Sequence, residues 1–521
     1  MYGYAAPPNE TSHGGGYKAG GNGRRLMPMR ASSLGPNVVT LFSLGEIVAR
    51  ARNAARNDPW AGAAADKSVA NGIGTGIQAK AQWGSPEWRK REAKLYKRWS
   101  KVCDADGVLN FDGIQALVWR EVEEAGECFV RLRNRRLTDG LPVPLQLQVI
   151  EAEQCPPHFY GTASNGNQIR AGIEFDLIGR RVAYWMYPRH PGDYHAGTDI
   201  DAGTLKRVPA EEVIHVYEPL RAGQIRGIPR AASVLVRMFN LDALDDAVLE
   251  RQKIANLFVG VFEDASTSGE AGDPMADHLT GDGTAPGAGG IEPDGVAVAG
   301  LEPGTTLDLP PGRKFAQSRP PDAGNNYPDY LRSGLLAIAA RWGVPYEVLT
   351  GDLRNVSDRA LRLILNEFRR FIEMRQWLML IPRCLQPIRE AYFDRAVFAG
   401  ALDVPGYDEL RDDVVDTLWV PQGWPYSHPV QDINADAKAI RSGLDSRTAT
   451  ILRKGEDPDE VLDQIQRDNA DADARGMVFD TDPRKTSNAG LTQARAAGSA
   501  SPDTGAGSSG GDTESDTGDT P

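Results

Sequence analysis

Apolar residues recur at helical spacing within Trp342–Glu373, and two turn signals divide this segment into separate helices. Gly343 is placed to end one helix in a left-handed conformation, and Pro345 prevents that helix from continuing. Asn355 or Ser357 can cap the following helix. One side of that helix is apolar and is formed by Leu361, Ile364, Leu365, Phe368 and Ile372. The pattern therefore predicts a rigid joint between two packed helices.

The N-terminal part of the chain carries three more helix signals. A cap and a proline open the first helix, over residues 57–72, and the second helix covers residues 85–101. The third helix covers residues 111–125 and is followed by a strand-like run at 127–132. Residues 141–217 contain short apolar runs bounded by Pro and Gly, which predict β-strands.

The helix over residues 85–101 has a strongly basic outer side, formed by Arg89, Lys90, Arg91, Lys94, Lys97, Arg98 and Lys101. A basic amphipathic helix can bind a membrane or nucleic acid. A solvated face, or a face that docks on an acidic neighbouring subunit, is the commoner outcome, and we favour it here.

A long helix is predicted from Pro229 to about Asn256, with a length of roughly 40 Å. One side is apolar and contains Val234, Met238, Leu241, Leu244 and Val248. Asp242, Asp246 and Glu250 follow each other at intervals of four residues on another side. A solvated stripe is typical of this spacing. In a ring of subunits the same stripe can line a channel.

The sequence after the long helix alternates between low complexity and helical pattern. Residues 265–300 consist mostly of Gly, Ala, Asp and Pro, which indicates a functional loop or a disordered insertion. Helices resume at Tyr327 and extend to Ala401, with breaks predicted near Pro382 and Pro387. A compact aromatic turn is predicted at Trp419–Trp424.

The C-terminal region is predicted to form a small helical cluster and a tail. The cluster comprises Asp432–Ser442, Ser446–Lys454 and Asp459–Arg467. Residues beyond about 471 are polar, acidic and rich in Gly and Ser, so that they cannot bury enough apolar surface to fold alone.

The formal net charge of −13 argues against a protein that grips nucleic acid by neutralising phosphates. It does not argue against a protein that lets DNA pass through. A length of 521 residues with 41% hydrophobic and 25% charged residues predicts two to four compact units of an ordinary globular protein. No apolar run is long enough to span a membrane, and the N-terminus lacks the apolar core of a signal peptide. Four widely spaced cysteines predict buried free thiols in a reducing cytoplasm.

The sequence contains no phosphate-binding loop, no His-Glu-x-x-His, no Gly-x-Ser-x-Gly and no Cys-x-x-Cys. His190, Asp193 and His195 form a local cluster, but its Pro/Gly-rich surroundings favour a surface turn over a metal site. Asp352 follows a glycine between two helices, and a helix-capping or subunit-contact role fits it better than acid catalysis. We therefore predict a protein without catalytic residues, metal or cofactor.

The order of several short motifs over about residues 45–470 resembles the lambda family of tailed-phage portal proteins. These motifs are Arg50-Ala51-Arg52, Gly72-Ile73-Gly74-Thr75-Gly76-Ile77, Gly126-Glu127-Cys128-Phe129-Val130-Arg131, Glu212-Val213-Ile214-His215, Gly227-Ile228-Pro229, and the joint from Val344 and Pro345 through Gly351 and Asp352 to Asn355-Val356-Ser357-Asp358-Arg359. Each motif is weakly specific alone, whereas their order along the chain is strongly specific.

The resemblance implies an α+β portal fold with an α/β wing, a helical stem, a clip and a helical crown. It implies a dodecameric ring at one vertex of the capsid, assembled in the host cytoplasm and retained in the virion. The implied partners are the terminase large subunit, the major capsid and scaffold proteins, the head-tail connector, and double-stranded DNA passing without sequence specificity. The structural joint would comprise Gly343, Pro345, Gly351, Asp352, Ser357 and Arg359, and the channel-lining candidates are Asp242, Asp246 and Glu250.

On this basis the chain divides into eight expected regions. They are a flexible N-terminal arm (1–45), a wing with a first stem-helix candidate at Phe111–Ala125 (46–140), a β-rich clip candidate (141–228), the long stem helix (229–258), a tunnel loop with a low-complexity insertion (259–325), a helical wing (326–429), a helical crown (430–470) and a disordered acidic tail (471–521).

Two alternatives belong to other functional classes. The first is a metal-dependent DNA-processing hydrolase that uses the clustered carboxylates Asp242, Asp245, Asp246 and Glu250, for which no histidine or second-segment partner is identifiable. The second is a monomeric adaptor or scaffold protein. Nuclease activity with added magnesium or manganese would support the first, and the size of the assembly on a column separates the second.

Overall fold

The structure, a computed structural model, describes residues 33–193, 204–257, 261–264, 313–316, 327–354, 356–426 and 428–479, together with Asp482 and Arg484. Two compact units divide the chain, Met1–Gln422 and Gly423–Pro521. Several predicted features lie outside the described residues: most of the N-terminal arm, the Asn355 cap, His195, the low-complexity segment at 265–300 and most of the acidic tail.

The first unit begins with three helices, α1 (Pro36–Leu41), α2 (Leu44–Asn57) and α3 (Pro59–Gly72). The predicted flexible arm is therefore wrong for residues 36–45. The physical reason is burial, because the side chain of Leu44 is only 2% exposed and packs in one cluster with Ala125. The predicted cap of α3 is confirmed, since the Asp58 carboxylate accepts hydrogen bonds from the first backbone amides of that helix.

A short strand, β1 (Gln78–Ala81), leads to helices α4 (Pro86–Ser100) and α5 (Phe111–Ala125), both close to their predicted bounds. Helix α5 packs against α2 and α3, and Trp119 on it is fully buried. The first stem-helix candidate is thus an internal helix of this unit.

Two antiparallel sheets follow. The first comprises β2 (Glu127–Asn134), β3 (Leu145–Ile150) and β9 (Val213–Tyr217) in the order β3-β2-β9. The second comprises β4 (Gly161–Thr162), β5 (Gln168–Arg170), β6 (Ile173–Phe175), β7 (Arg181–Met186) and β8 (Lys206–Pro209), with neighbours in chain order. One hydrophobic core joins them through Phe129, Ile173 and Tyr184. The prediction of a β-rich region is confirmed, although its central strand β2 precedes residue 141.

The long helix α6 spans Leu235–Leu257 and has 23 residues, which corresponds to about 35 Å. The predicted start at Pro229 is wrong, because a separate 3-10 turn at Arg230–Ser233 precedes the helix. Tertiary contacts override the local signal here. The amide of Gly227 donates a hydrogen bond to Glu127, which fixes the chain against β2 two residues before Pro229.

Beyond α6, strands β10 (Val261–Asp264) and β11 (Arg313–Ala316) pair antiparallel, and the helices α7 (Tyr327–Trp342), α8 (Tyr346–Thr350) and α9 (Asp358–Arg375) follow. A π-helical segment, Gln376–Leu385, then connects directly to α10 (Gln386–Phe398). The breaks predicted near Pro382 and Pro387 are both wrong, since Pro382 lies within the π-helical segment and Pro387 within the first turn of α10. In a π-helix the backbone hydrogen bonds join residues that are five apart in sequence. Proline lacks a backbone N–H, and here this loss falls where the α-helical hydrogen-bond pattern is already interrupted.

The first unit ends with α11 (Tyr407–Val415) and β12 (Thr417–Val420). Strand β12 pairs antiparallel with β1, and Gln78 lies opposite Val420. The predicted aromatic turn is therefore wrong for Trp419 and Val420, which form part of a strand. A pairing between segments so far apart in sequence has no local signal.

The second unit contains α12 (Pro429–Arg441), α13 (Arg447–Arg453) and α14 (Pro458–Ala474), which confirms the predicted helical cluster. Helix α14 ends seven residues later than expected, so that residues 471–474 belong to a helix and not to the tail. Burial of Ala472 accounts for the extension.

Candidate functional site

Helix α6 has one buried side. Met238 and Leu241 are among its buried side chains, and α6 packs against α7 along this side. The packing is close at Gly334, where a Cβ atom would lie 3.0 Å from the Leu241 side chain. Val234, Met238 and Leu241 of the predicted apolar stripe are buried, and Leu244 and Val248 are half-buried, which confirms the stripe.

Asp242, Asp246 and Glu250 are exposed on α6, as the sequence pattern predicts. Glu250 accepts a hydrogen bond from Lys253 at 2.8 Å. The fourth carboxylate of the hydrolase alternative, Asp245, instead accepts a hydrogen bond from the Tyr327 hydroxyl of α7. Among the described residues the four carboxylates form no cluster in which three could share a metal ion.

Glu151, Glu153 and His190 are the described groups whose ligand atoms lie close enough to hold a metal together. Arg52 already occupies this position. Its guanidinium donates to Glu153 at 2.6 Å and to Glu121 at 2.7 Å. Burial lowers the pKa of Arg52, but these two carboxylates outweigh burial and hold it above its ordinary value. The carboxylate of Glu153 is thus already held by an ion pair with Arg52.

The predicted joint has the expected backbone geometry. Gly343 ends α7 with φ of +76°, and a Cβ atom there would lie 2.4 Å from the Phe371 ring. Pro345 precedes α8, and Gly351 ends α8 with φ of +71°. No side chain other than hydrogen fits at Gly343 without movement of Phe371, so the joint requires glycine.

The polar residues of the joint make different contacts. Ser357 caps α9, since its hydroxyl accepts a hydrogen bond from the Ala360 amide at 3.2 Å. Asp352 does not cap a helix but binds the guanidinium of Arg354 with two contacts of 2.8 Å. These hydrogen bonds hold the pKa of Asp352 well below its ordinary value. Arg359 is exposed on the first turn of α9.

A buried charged cluster fixes the chain just before α6. Glu127 of β2 accepts hydrogen bonds from Arg226 Nε at 2.7 Å and from the Gly227 amide at 2.8 Å, and lies 2.9 Å from His215 Nε2 of β9. Burial raises the pKa of Glu127, but Arg226 and His215 outweigh it and lower the pKa to about 2. Burial lowers the pKa of His215 to about 4. We call Glu127, His215, Arg226 and Gly227 the Glu127 anchor.

A second buried pair joins Arg375, at the end of α9, to Glu123 of α5. The guanidinium of Arg375 lies 4.4 Å from the centre of the Trp119 ring. Periodicity does not reveal such pairs, because it does not say which charge meets which. The available signal was the presence of charged residues at positions where the pattern calls for apolar ones.

A sequence model of the family described as "Phage portal protein, lambda family" matches residues 22–376. The chain belongs to the lambda family of phage portal proteins. It is 28% identical over 390 residues to the probable portal protein of Halomonas phage phiHAP-1, covering 74% of this chain and 71% of that protein. It is 23% identical over 508 residues to portal protein B of Escherichia phage lambda, covering 89% and 90% of the two chains.

Among solved structures, a chain from the neck of a native gene transfer agent particle, computed with C12 symmetry, is 12% identical with a TM-score of 0.43. The match covers 84% of this chain and 99% of that chain. Within the described residues, no helix combines the length and the apolar character needed to cross a membrane.

Family membership confirms the resemblance drawn from the motif order and, with the mixed helices and sheets, the predicted α+β portal fold. The structure adds a physical reason for three of the motifs. Glu127, His215 and Gly227 come from separate motifs and meet in the Glu127 anchor. This portal protein therefore keeps these motifs together in space, at the point where the chain enters the long helix.

Proposed function

We propose that this portal protein assembles into a closed ring, through which double-stranded DNA enters and leaves the capsid of a tailed phage. Family membership supports the proposal. The structural observation that supports it most is that α6 packs on α7 by one side and exposes Asp242, Asp246 and Glu250 on another side. In this proposal α6 is the stem helix, and the acidic side faces the channel.

The electrostatic role of such a helix follows from its repetition around a ring. Eight residues separate Asp242 from Glu250, so that the acidic row covers about 12 Å along the channel. DNA carries one negative charge per ~1.7 Å, and a basic collar would bind it and resist sliding. An acidic wall instead repels the phosphates from every side and keeps the duplex centred.

We propose the subunit number, location and partners of the family for this chain as well. The ring has twelve subunits, resides at the portal vertex of the virion and assembles in the host cytoplasm. It contacts the terminase large subunit, the major capsid and scaffold proteins and the head-tail connector. The terminase supplies the work through ATP hydrolysis, and the portal protein catalyses no reaction.

Within the subunit, residues 141–228 form the clip, 259–325 the tunnel loop, 326–429 together with 46–140 the wing, and 430–470 the crown. Support for the tunnel loop comes from the pairing of β10 with β11. This pairing places Asp264 opposite Arg313, so that the two ends of the intervening segment lie next to each other shortly after α6.

The proposal is tested by native mass spectrometry and negative-stain images of the purified protein. A closed ring with a central hole is expected, and only monomer or dimer at near-physiological salt would overturn it. A nuclease assay with magnesium and manganese is the companion measurement. Turnover that disappears on Asp246→Ala or Glu250→Ala would favour the hydrolase alternative.

A further inference from the structure

Helix α4 is held rigidly on α10 by its inner side. The Glu92 carboxylate lies 2.8 Å from the Arg389 guanidinium, and both side chains are buried. Trp88 stacks on Phe393 with 6.4 Å between ring centres. Because charge pairing and ring packing both fix α4, its outer side presents a surface of defined shape.

The outer side of α4 carries exposed basic residues without internal counter-ions. They include Arg91, Lys94, Lys97, Arg98 and Lys101. None of these five makes an ion pair with another described residue. A fixed row of unpaired like charges repels itself, and contact with a surface of opposite charge relieves that repulsion.

Helix α11 presents the opposite charge. Its inner side is tied to Asp394 of α10 by Tyr407, at 2.8 Å, and by Arg411, at 2.9 Å. Its outer side carries Asp408, Glu409, Asp412 and Asp413, all exposed, and Asp416 follows directly. These five acidic side chains make no ion pair with any residue that the structure describes.

The helices α4 and α11, which carry the two charged faces, pack on different sides of α10. Helix α4 contacts Arg389 and Phe393 of α10, whereas α11 contacts Asp394, which is about 100° further around that helix than Phe393. Complementary patches that lie on different sides of the same subunit are the arrangement of a heterologous contact. Such contacts generate closed rings when the rotation between subunits closes.

We propose that the basic face of α4 docks on the acidic face of α11 of the next copy of this chain. The inference rests on the proposed ring and names one contact within it. A second copy fits better than nucleic acid, because the complementary surface is present on the same chain and the chain as a whole has a net charge of −13. Complementary charge at this contact also sets the register between neighbours.

Two charge-reversal variants test the contact. The α4 variant combines Lys94→Glu with Arg98→Glu, and the α11 variant combines Asp412→Lys with Asp413→Lys. Each should reduce the fraction of protein in rings by about tenfold, because attractive pairs become repulsive ones at every interface. A control with the same charge change as the α4 variant, Lys438→Glu with Arg441→Glu on α12, should leave ring formation unchanged.

The decisive experiment mixes the α4 variant with the α11 variant in equal amounts. In a head-to-tail ring the acidic α4 of one variant meets the basic α11 of the other, and the remaining interfaces are of wild-type sign. Native mass spectrometry should then find rings with alternating subunits in a one-to-one ratio. Far-UV circular dichroism spectra that match the spectrum of the wild type establish that each variant is folded.

The outcomes separate this contact from the proposed function. Normal rings from both variants alone would overturn the contact while leaving the ring intact, and failure of the mixture to recover rings would overturn it as well. Absence of rings from the wild-type chain would overturn the proposed function. A loss of binding to a short DNA duplex in the α4 variant, without loss of rings, would assign the basic face to nucleic acid instead.

Discussion

Replacing Glu127 by Gln should destabilise the first unit far more than the removal of an exposed carboxylate. The side chains of Glu127, His215 and Arg226 are each at most 2% exposed. Gln keeps the volume of the side chain and can still accept from Gly227, but it carries no charge. The guanidinium of Arg226 therefore stays buried without its counter-ion.

The expected magnitude follows from burial. Removal of one partner of a buried ion pair costs about 3–5 kcal/mol, whereas an exposed pair contributes about 0.2–1 kcal/mol. Glu212→Gln is the matched control, because Glu212 lies 3.5 Å from Arg131 and both side chains are partly exposed. Adding Arg226→Met to Glu127→Gln should recover part of the loss, since no unpaired charge then remains buried.

Urea unfolding followed by tryptophan fluorescence measures these differences. All tryptophans except Trp424 lie in Met1–Gln422, so the signal reports mainly on the unit that contains the anchor. Protein concentration and oligomeric state must be the same for all variants, because association stabilises the folded subunit. Equal destabilisation by Glu127→Gln and Glu212→Gln would show that burial of the Glu127 anchor adds nothing to its strength.

Four further predictions concern other parts of the molecule. Stability measured by urea unfolding should fall as the pH decreases from about 6.5 to about 4. Burial lowers the pKa of His215 to about 4, so that in this range the unfolded chain binds a proton that the folded chain does not. His215→Asn should flatten this part of the pH profile, and an unchanged slope would contradict the assignment to His215. Gly343→Ala should lower the free energy of unfolding by roughly 2–4 kcal/mol and Gly351→Ala by about 1 kcal/mol in the same assay. Both glycines have positive φ, but only Gly343 lies against the aromatic ring of Phe371. Equal losses for the two variants would exclude the clash with Phe371. Replacing Asp242, Asp246 and Glu250 by Lys should leave the rings intact and slow DNA packaging. Replacing them by Asn and Gln should have a smaller effect on packaging. Normal packaging by the Lys variant would show that α6 does not line the channel. Deletion of residues 268–290 should leave ring assembly intact and reduce DNA retention, and normal retention would assign this stretch to an insertion without a role in the channel.

Sequence alone predicted helix ends well where a single residue carries the signal. Asp58 and Ser357 cap their helices through side-chain hydrogen bonds to nearby amides, and Gly343 ends α7 in the left-handed conformation. These are local interactions, and the residues that make them are close in sequence. Strands within residues 127–132 and 141–217 were likewise predicted from short apolar runs between turn residues, but the two sheets that these strands form were not.

The errors lie where distant residues decide the local conformation. Pro229 precedes a 3-10 turn and not the long helix, because the chain is held at Glu127, 100 residues away from Gly227. Trp419 belongs to a strand because its partner β1 lies near the start of the unit. The Glu127 anchor itself could not be assembled from periodicity, although each of its parts lies in or beside a motif that resembled the portal family.

The place of α6 in the assembly is best determined by a single-particle reconstruction of the purified, full-length chain. We expect a closed ring in which α6 of every subunit borders the central hole, with Asp242, Asp246 and Glu250 facing it. A monomer, an open filament, or a ring in which these three carboxylates face away from the hole would rule out the proposed channel wall.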